Sequence, residues 1–281
     1  MSAVSESVAN PIGAAAGDVE PDLERRFGGL RRLYGDAGYA RLRAARVAVV
    51  GLGGVGSWAA EALARCGVAA LTLVDLDHVS ESNIHRQVQA LGRTVGQAKG
   101  SALAERIADI HPGCRVQVVD DFASVDNWPG LLGGAVDAVI DACDQSAAKV
   151  VMAAWALATG VPLVCVGAAG GKRLAQRVEV SDLAEVTHDP LLASLRQRLR
   201  RDHEAARRGP IGLRCVFSRE NVAAPLTADA DAAGAACEPV DGSLNCHGYG
   251  STVTVTATFG FAAAGEAVEC LLALRDPRSE Q

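Results

Sequence analysis

A compact apolar run, RVAVV at 46–50, passes directly into GLGGVGS at 51–57, and no other stretch of the chain restricts its fold so tightly. Such a run suits a strand buried on both faces of a parallel sheet. Gly51, Gly53 and Gly56 then stand in G-x-G-x-x-G spacing. The first permits a tight turn, the second lets a phosphate approach the backbone, and the third lets helix pack on strand. Ser57 to Cys66 is alanine-rich and stops at Gly67, as a helix with a glycine cap does, and the unpaired N–H groups at its start suit an anion. Asp75 ends a second apolar strand, Ala70–Val74, where it can accept hydrogen bonds from ribose hydroxyls. The pattern predicts a nucleotide site carried by Gly51, Gly53, Gly54, Gly56 and Asp75. A glycine turn needed only for packing has the same spelling, and the motif does not separate NAD from ATP.

The rest of the chain repeats the alternation. Helices are expected over Gln97–Ile110 and Ala147–Thr159, and strands over Arg115–Val119, Val136–Ile140 and Pro162–Val166. This predicts an α/β fold, a Rossmann-like doubly wound and mainly parallel sheet, over residues 46–170. After Gly171 the rhythm changes to strands at Gln176–Val180 and Leu213–Phe217 around a basic helical stretch, Leu191–Arg208, so 171–281 reads as a substrate-binding part with a mixed second half-sheet. Residues 222–247, rich in Ala, Asp and Gly, are longer than packed connections usually are and read as a crossover loop. Residues 1–22 lack a periodic apolar face and read as a disordered tail. Leu23, Phe27, Leu30, Leu33 and Tyr34 make a helical arm of 23–45, interrupted at Gly35 and Gly38. Thr252–Phe261, TVTVTATFGF, favours a strand on propensity alone.

Charge downstream of the glycine loop distinguishes the nucleotides. Asn83 and Arg86 in SNIHRQ, and Lys99 in VGQAKG, fall at the carboxyl edge of such a sheet. A triphosphate losing pyrophosphate needs cations on its developing charge, and Arg86 and Lys99 supply them as catalytic groups. A nicotinamide site has no such need. Asp144, in DACDQ, can hold Mg²⁺ against phosphate oxygens or cap the following helix. The expected cofactors are therefore ATP and Mg²⁺.

These strings, in this order, resemble the ubiquitin-activating-enzyme-like superfamily, whose members adenylate a carboxylate. RFGGLRRLYG at 26–35, GSWAAEALARCG at 56–67, RVQVVDDF at 115–122, DPLLASLRQRLR at 189–200, CVFS at 215–218 and TVTATFGF at 254–261 are most similar to its threonylcarbamoyladenosine dehydratase branch. The resemblance implies ATP-dependent loss of water from the threonylcarbamoyl group of a modified adenosine beside the tRNA anticodon. It also implies that 252–261 is part of a C-terminal helix, that the chain is a homodimer, and that Asp75 holds ribose, Asn83, Arg86 and Lys99 the phosphates, and Asp144 the metal. The alternative substrate is the C-terminal glycine of a ubiquitin-like sulfur carrier. Relatives acting on such carriers often hold zinc with two CxxC pairs, which the eight cysteines here do not form, so no structural zinc is expected. Cys246 stands where the branch tends to carry a cysteine near the crossover loop; a role in accepting or relaying sulfur makes sulfur-transfer proteins candidate partners, while a single cysteine also serves as a purely structural residue. Relatives also insert an arginine of the neighbouring arm into the ATP site; Gly29 occupies that slot, with Arg31 and Arg32 beside it, and Arg32 is the nearest substitute.

A net charge of −6 argues against general coating of nucleic acid, so any tRNA contact needs a patch. Arg196, Arg198, Arg200 and Arg201 in the basic stretch are the candidates, although a solvated helix face looks the same. No apolar segment opens the sequence, and Glu266 and Glu269 interrupt the longest apolar stretch, Thr252–Leu274, so a cytoplasmic protein with no membrane contact is expected.

Overall fold

Strand β1 (Arg46–Val50) forms where the apolar run predicts it and lies in the interior of a seven-stranded sheet, third from one edge. The structure, a computed structural model, describes residues 21–224 and 249–273; the tail of 1–20, most of the crossover loop and Cys246 lie outside the described residues. The remaining strands are β2 (Ala70–Val74), β3 (Arg115–Val119), β4 (Ala138–Asp141), β5 (Leu163–Val166), β6 (Val178–Asp182) and β7 (Arg214–Ser218), in the order β3-β2-β1-β4-β5-β7-β6. All pairings are parallel except β6 with β7. The expected second half-sheet is thus the continuation of the first, with β6 as an antiparallel edge.

Alternate residues of β1 enter opposite layers, which is why the run is apolar throughout. Val47 and Val49 pack under α1 (Leu23–Leu42), α2 (Gly56–Arg65), α3 (Lys99–Ile110) and α6 (Val253–Ala273). Ala48 and Val50 pack under α4 (Ser146–Thr159) and α5 (Pro190–Asp202). Helix α1 bends at Gly35, whose φ of 69° only glycine adopts cheaply, and its first half is tied to α3: Arg26 Nη1 donates to the carbonyls of Asp109 and Ile110 at the end of that helix.

One boundary changes, and one choice between strand and helix is decided as the resemblance implied. The basic helix stops at Asp202 instead of Arg208, because the N–H groups of His203 and Ala205 both turn back to Leu199 O, with Glu204 at φ 53° between them. Thr252–Phe261 is helical despite its β-branched residues. Val255, Thr256, Phe259, Gly260, Ala263, Ala264, Ala267, Val268 and Leu271 recur at helical spacing and bury one face of α6, and Thr258 Oγ1 donates to Thr254 O at 2.7 Å, satisfying the hydroxyl within the helix. Gly260 lets α2 and α6 touch, since a Cβ there would lie 2.6 Å from Val55 O. Helix α6 is long and apolar enough to cross a membrane, yet half of its apolar window is buried inside the fold.

The glycine turn carries strict steric demands. A Cβ on Gly56 would lie 1.8 Å from Gly51 O, and Gly51 itself has φ 86° with Cys143 N at 2.8 Å from any added Cβ. Gly56→Ala is therefore expected to push α2 off β1 and lower stability by about 1–3 kcal/mol, with ATP affinity falling alongside. Thermal unfolding and ATP titration test this; unchanged values for both would contradict the packing role.

Candidate active site

Parallel strands leave their carboxyl ends open to ligands where strand order reverses, here between β1 and β4. A cleft of about 280 Å³ opens at that place, lined from the ends of β1 and β2 across to β5. Gly51, Gly53, Gly54, Asp75, Arg86, Lys99 and Asp144 all line it, so residues separated by up to 93 positions in sequence share one wall.

Each glycine has its own task. Gly53 faces open space, as a phosphate-approach residue must. Gly54 makes room for another side chain, since a Cβ there would meet Arg86 Cγ and Cδ at 3.3 Å. Gly56 does not line the cleft and serves packing alone. Helix α2 starts beside this loop with Val55 at its N-cap and no side-chain cap; the Ser57 N–H turns back to Gly53 O at 3.2 Å, and the other N–H groups of the first turn suit an anion.

Asp75 is held rigidly: Oδ2 accepts the N–H of Leu52 at 2.6 Å and Oδ1 that of Asp77 at 2.9 Å. Burial pushes its carboxyl up from the usual range, opposed by the Lys99 ammonium and by those two N–H donors. Each oxygen has a second lone pair with which it can accept a further hydrogen bond. Lys99, the first residue of α3, places Nζ 2.6 Å from Asp77 Oδ2 and 3.8 Å from Asp75 Oδ1. Asp77 is a cleft residue that the sequence reading missed; its only signal was a second aspartate two places after the first in LVDLD.

Arg86 is nearly buried, with Nη1 donating to Ser82 O at 2.8 Å and its own carbonyl accepting from Trp58 Nε1 at 3.0 Å. Asn83, expected on the phosphates, does not line the cleft. Its Oδ1 accepts the Ser80 N–H at 3.0 Å, and its carbonyl accepts the N–H of Arg86 at 3.0 Å, so it shapes the short turn Glu81–Asn83 from which Arg86 hangs. Asp144 lies exposed on the cleft before α4. It is not a helix cap, because Gln145 occupies that position and supplies no side-chain bond.

Beneath Asp144 lies an ion pair the sequence reading also missed. Lys149 Nζ stands 3.0 Å from Asp141 Oδ2 and donates to Val166 O at 2.7 Å, with both side chains fully enclosed. Burial alone would push Lys149 down; the Asp141 carboxylate outweighs it and holds the lysine above its ordinary value. Asp141 Oδ1 also accepts from the Cys143 thiol at 3.0 Å, so β4, β5 and the turn carrying Asp144 are tied together. Burial pushes the thiols of Cys66, Cys143 and Cys270 up, and that of Cys114 to about 11, so these cysteines keep their protons at neutral pH.

The α5 arginines stand outside the cleft, although Leu191 at the start of that helix lines it. Arg196 Nη1 donates to Leu183 O and Val186 O and belongs largely to the fold, Arg200 Nε donates to Ala206 O, and Arg201 pairs with Asp202. Among the described residues no group of three or more His, Cys, Asp or Glu could hold a metal ion together.

The cleft therefore combines a buried carboxylate at Asp75, a helix N-terminus and the two cations Arg86 and Lys99, a combination that suits a polyphosphate nucleotide. Comparison with known proteins agrees. A family model described as ThiF family matches residues 26–281. The chain is 42% identical to tRNA threonylcarbamoyladenosine dehydratase of Escherichia coli over 252 residues, covering 89% of this chain and 94% of that protein. The crystal structure of E. coli tRNA N6-threonylcarbamoyladenosine dehydratase in complex with ATP superposes with a TM-score of 0.79 at 40% identity, covering 94% of this chain and 99% of that one. Its complex with AMP gives 0.80 at 40% identity, with the same coverage.

Proposed function

Because the chain belongs to the ThiF family, we propose that it is an ATP-dependent tRNA threonylcarbamoyladenosine dehydratase, activating the threonylcarbamoyl carboxylate of a modified adenosine beside the anticodon and closing it into a ring. The observation that carries this reading is 42% identity sustained over 94% of the length of a relative bearing that name. The residues of the cleft supply the chemistry.

A free carboxylate is a poor electrophile because its oxygen is a poor leaving group. Attack of one carboxylate oxygen on the α-phosphorus of ATP forms a mixed anhydride and releases pyrophosphate. A nitrogen of the same side chain then attacks the activated carbonyl, the bond to AMP breaks, and the oxygen leaves on AMP while the nitrogen's proton passes to solvent. Asp75 orients the ribose, the N–H groups at the start of α2 meet phosphate, and Arg86 and Lys99 neutralise charge gathering on the leaving pyrophosphate. No protein nucleophile is required, which suits the protonated thiols.

The cleft balance calls for further positive charge: Arg86 and Lys99 face Asp75, Asp77, Asp121 and Asp144. Mg²⁺ prefers one or two carboxylates plus substrate oxygens, and the exposed carboxylate of Asp144 fits that demand. A second copy of the chain supplies the rest in our reading, as a homodimer in which the arm's Arg32 reaches the neighbouring cleft; Arg31 is already engaged by Glu24 and Asp36. Six free cysteines among the described residues suit a reducing cytoplasm. Sulfur-transfer partners would act through Cys246, outside the described residues.

Incubating the protein with ATP and tRNA bearing threonylcarbamoyladenosine should remove one water from the modified nucleoside, read by mass spectrometry, with AMP formed and not ADP. An unchanged mass sinks the reading, and ADP would replace the adenylate by an acyl phosphate. For the tRNA itself, Arg198→Ala with Arg200→Ala and Arg201→Ala is expected to weaken binding and to reduce the salt slope by about 1 for each phosphate no longer neutralised, with ATP affinity intact. An unchanged slope would remove α5 from the interface.

A further inference from the structure

Lys172 is fully enclosed, and nothing in the adenylation chemistry uses it. Its Nζ donates to His188 O at 3.0 Å, to Ser218 O at 3.3 Å and to Glu220 O. Three ammonium hydrogens thus meet three carbonyls from three parts of the chain: the residue before the α5 cap, the last residue of β7, and the turn beyond it. Burial pushes this lysine down from its ordinary value, opposed by Asp189 and Glu220.

The segment around Lys172 is tied on both sides. Asp189, itself buried, caps α5 through Leu192 N–H and accepts Ala168 N–H on Oδ2 at 2.9 Å. The Glu220 carboxylate accepts the N–H groups of Arg173 and Leu174, each at 2.9 Å. Gly171 donates to Gly250 O and accepts from Ala223 N–H, so the same segment meets the chain on either side of 225–248. What these bonds hold is a wall of the cleft: Gly167, Ala168, Ala169 and Gly170 line it at the end of β5. That strand lies three places from β2, the strand ending at Asp75, or roughly 14 Å at ordinary strand spacing. In the dehydratase reading, with ribose at Asp75 and phosphates over the glycine loop, this wall is the side of the cleft left for the acceptor carboxylate.

We infer that Lys172 is a positioning residue for the substrate half of the cleft, its ammonium holding the Gly167–Gly170 wall against the start of α5 and the end of β7. The inference rests on the dehydratase reading for the identity of the substrate. An ammonium suits this task because its donors diverge from one point onto converging carbonyls, whereas the flat fork of arginine cannot match them. Without it, the carbonyls of His188, Ser218 and Glu220 lose their shared donor, that of Ser218 in a buried residue, and the wall loosens.

Lys172→Met is expected to lower turnover of threonylcarbamoyladenosine-bearing tRNA by about 10²-fold, the order expected for misplacement of a reacting group by an ångström. The KM for ATP should stay within twofold, because the ATP half is built from other residues. Lys172→Ala should regain turnover with n-propylammonium, which restores N–H donors, and not with tetramethylammonium, which has none. Amide exchange of 167–174 should accelerate in both variants. Lys172→Gln replaces the methionine variant if that one does not fold. Unchanged turnover overturns the inference, as does a loss in which ATP affinity and turnover fall together, since that marks a general structural role. If the wild-type chain leaves the tRNA unchanged, the dehydratase reading fails by itself; faster exchange of 167–174 with ATP affinity preserved still supports the wall, and unchanged exchange overturns it.

Discussion

Arg86→Ala is expected to reduce the rate of AMP formation by about 10²–10³-fold, the usual loss when one preorganised donor is removed from developing charge. The side chain lies over Gly54, with its stem against the backbone of the glycine loop and Nη1 fixed on Ser82 O. In the proposed reaction it would therefore meet phosphate without reorganising. The fold should survive the change, because the bond that anchors this turn to α2 runs from Trp58 Nε1 to the backbone carbonyl of residue 86 and does not involve the guanidinium. Arg86→Lys should recover only part of the rate, since it restores charge and not the fork. Single-turnover measurement with saturating ATP, beside a melting curve, tests the assignment. A full rate in Arg86→Ala would remove this residue from the phosphates.

Lys149→Met should be the most destabilising single change in the core, at about 3–5 kcal/mol. The lysine is fully enclosed beside Asp141, and removing it strands a carboxylate with no water to solvate it. Adding Asp141→Asn to Lys149→Met should recover much of that loss, because the uncompensated charge goes too. Urea unfolding of the two variants measures the difference. Equal destabilisation of both would mean that packing around the lysine stem, and not the charge pair, sets the cost. The double variant should still turn over slowly, because without the Lys149 ammonium the end of β5 at Val166 O and the end of β4 at Asp141 O lose the donor that ties them together beneath Asp144.

The two variants divide along the line between what the sequence makes legible and what it hides. Arg86 stands out because it follows a glycine loop and a ribose aspartate, and its value depends on type and order along the chain. Lys149 does not, because a lysine in an alanine-rich helix looks like a solvated charge until the helix is laid against β4 and β5. Asn83 shows the converse failure. Its side chain is the kind that contacts phosphate, yet three residues away it shapes the turn that presents Arg86. The arginines of α5 are legible as a cluster, but which of them face solvent depends on where Leu183, Val186 and Ala206 offer their carbonyls.

Local signals, read along the chain, determined the alternation of strands and helices, the glycine turn and the aspartate at the end of β2, because each rests on periodicity or backbone geometry confined to a few neighbours. The same locality explains why TVTVTATFGF misled propensity: its β-branched residues have a strand preference of their own, and only the groove beside α2 that accepts Gly260 makes a helix the better arrangement. Tertiary structure alone decided the partners of the buried charges. Asp77 meets Lys99 across 22 residues, Asp141 meets Lys149 through the turn at the switch point, and Lys172 meets Ser218 across 46. Those partnerships follow from strand order, which places β7 beside β5 and β4 beside β1, and an ion enclosed in a fold must find whatever counter-charge or carbonyl that order brings near it.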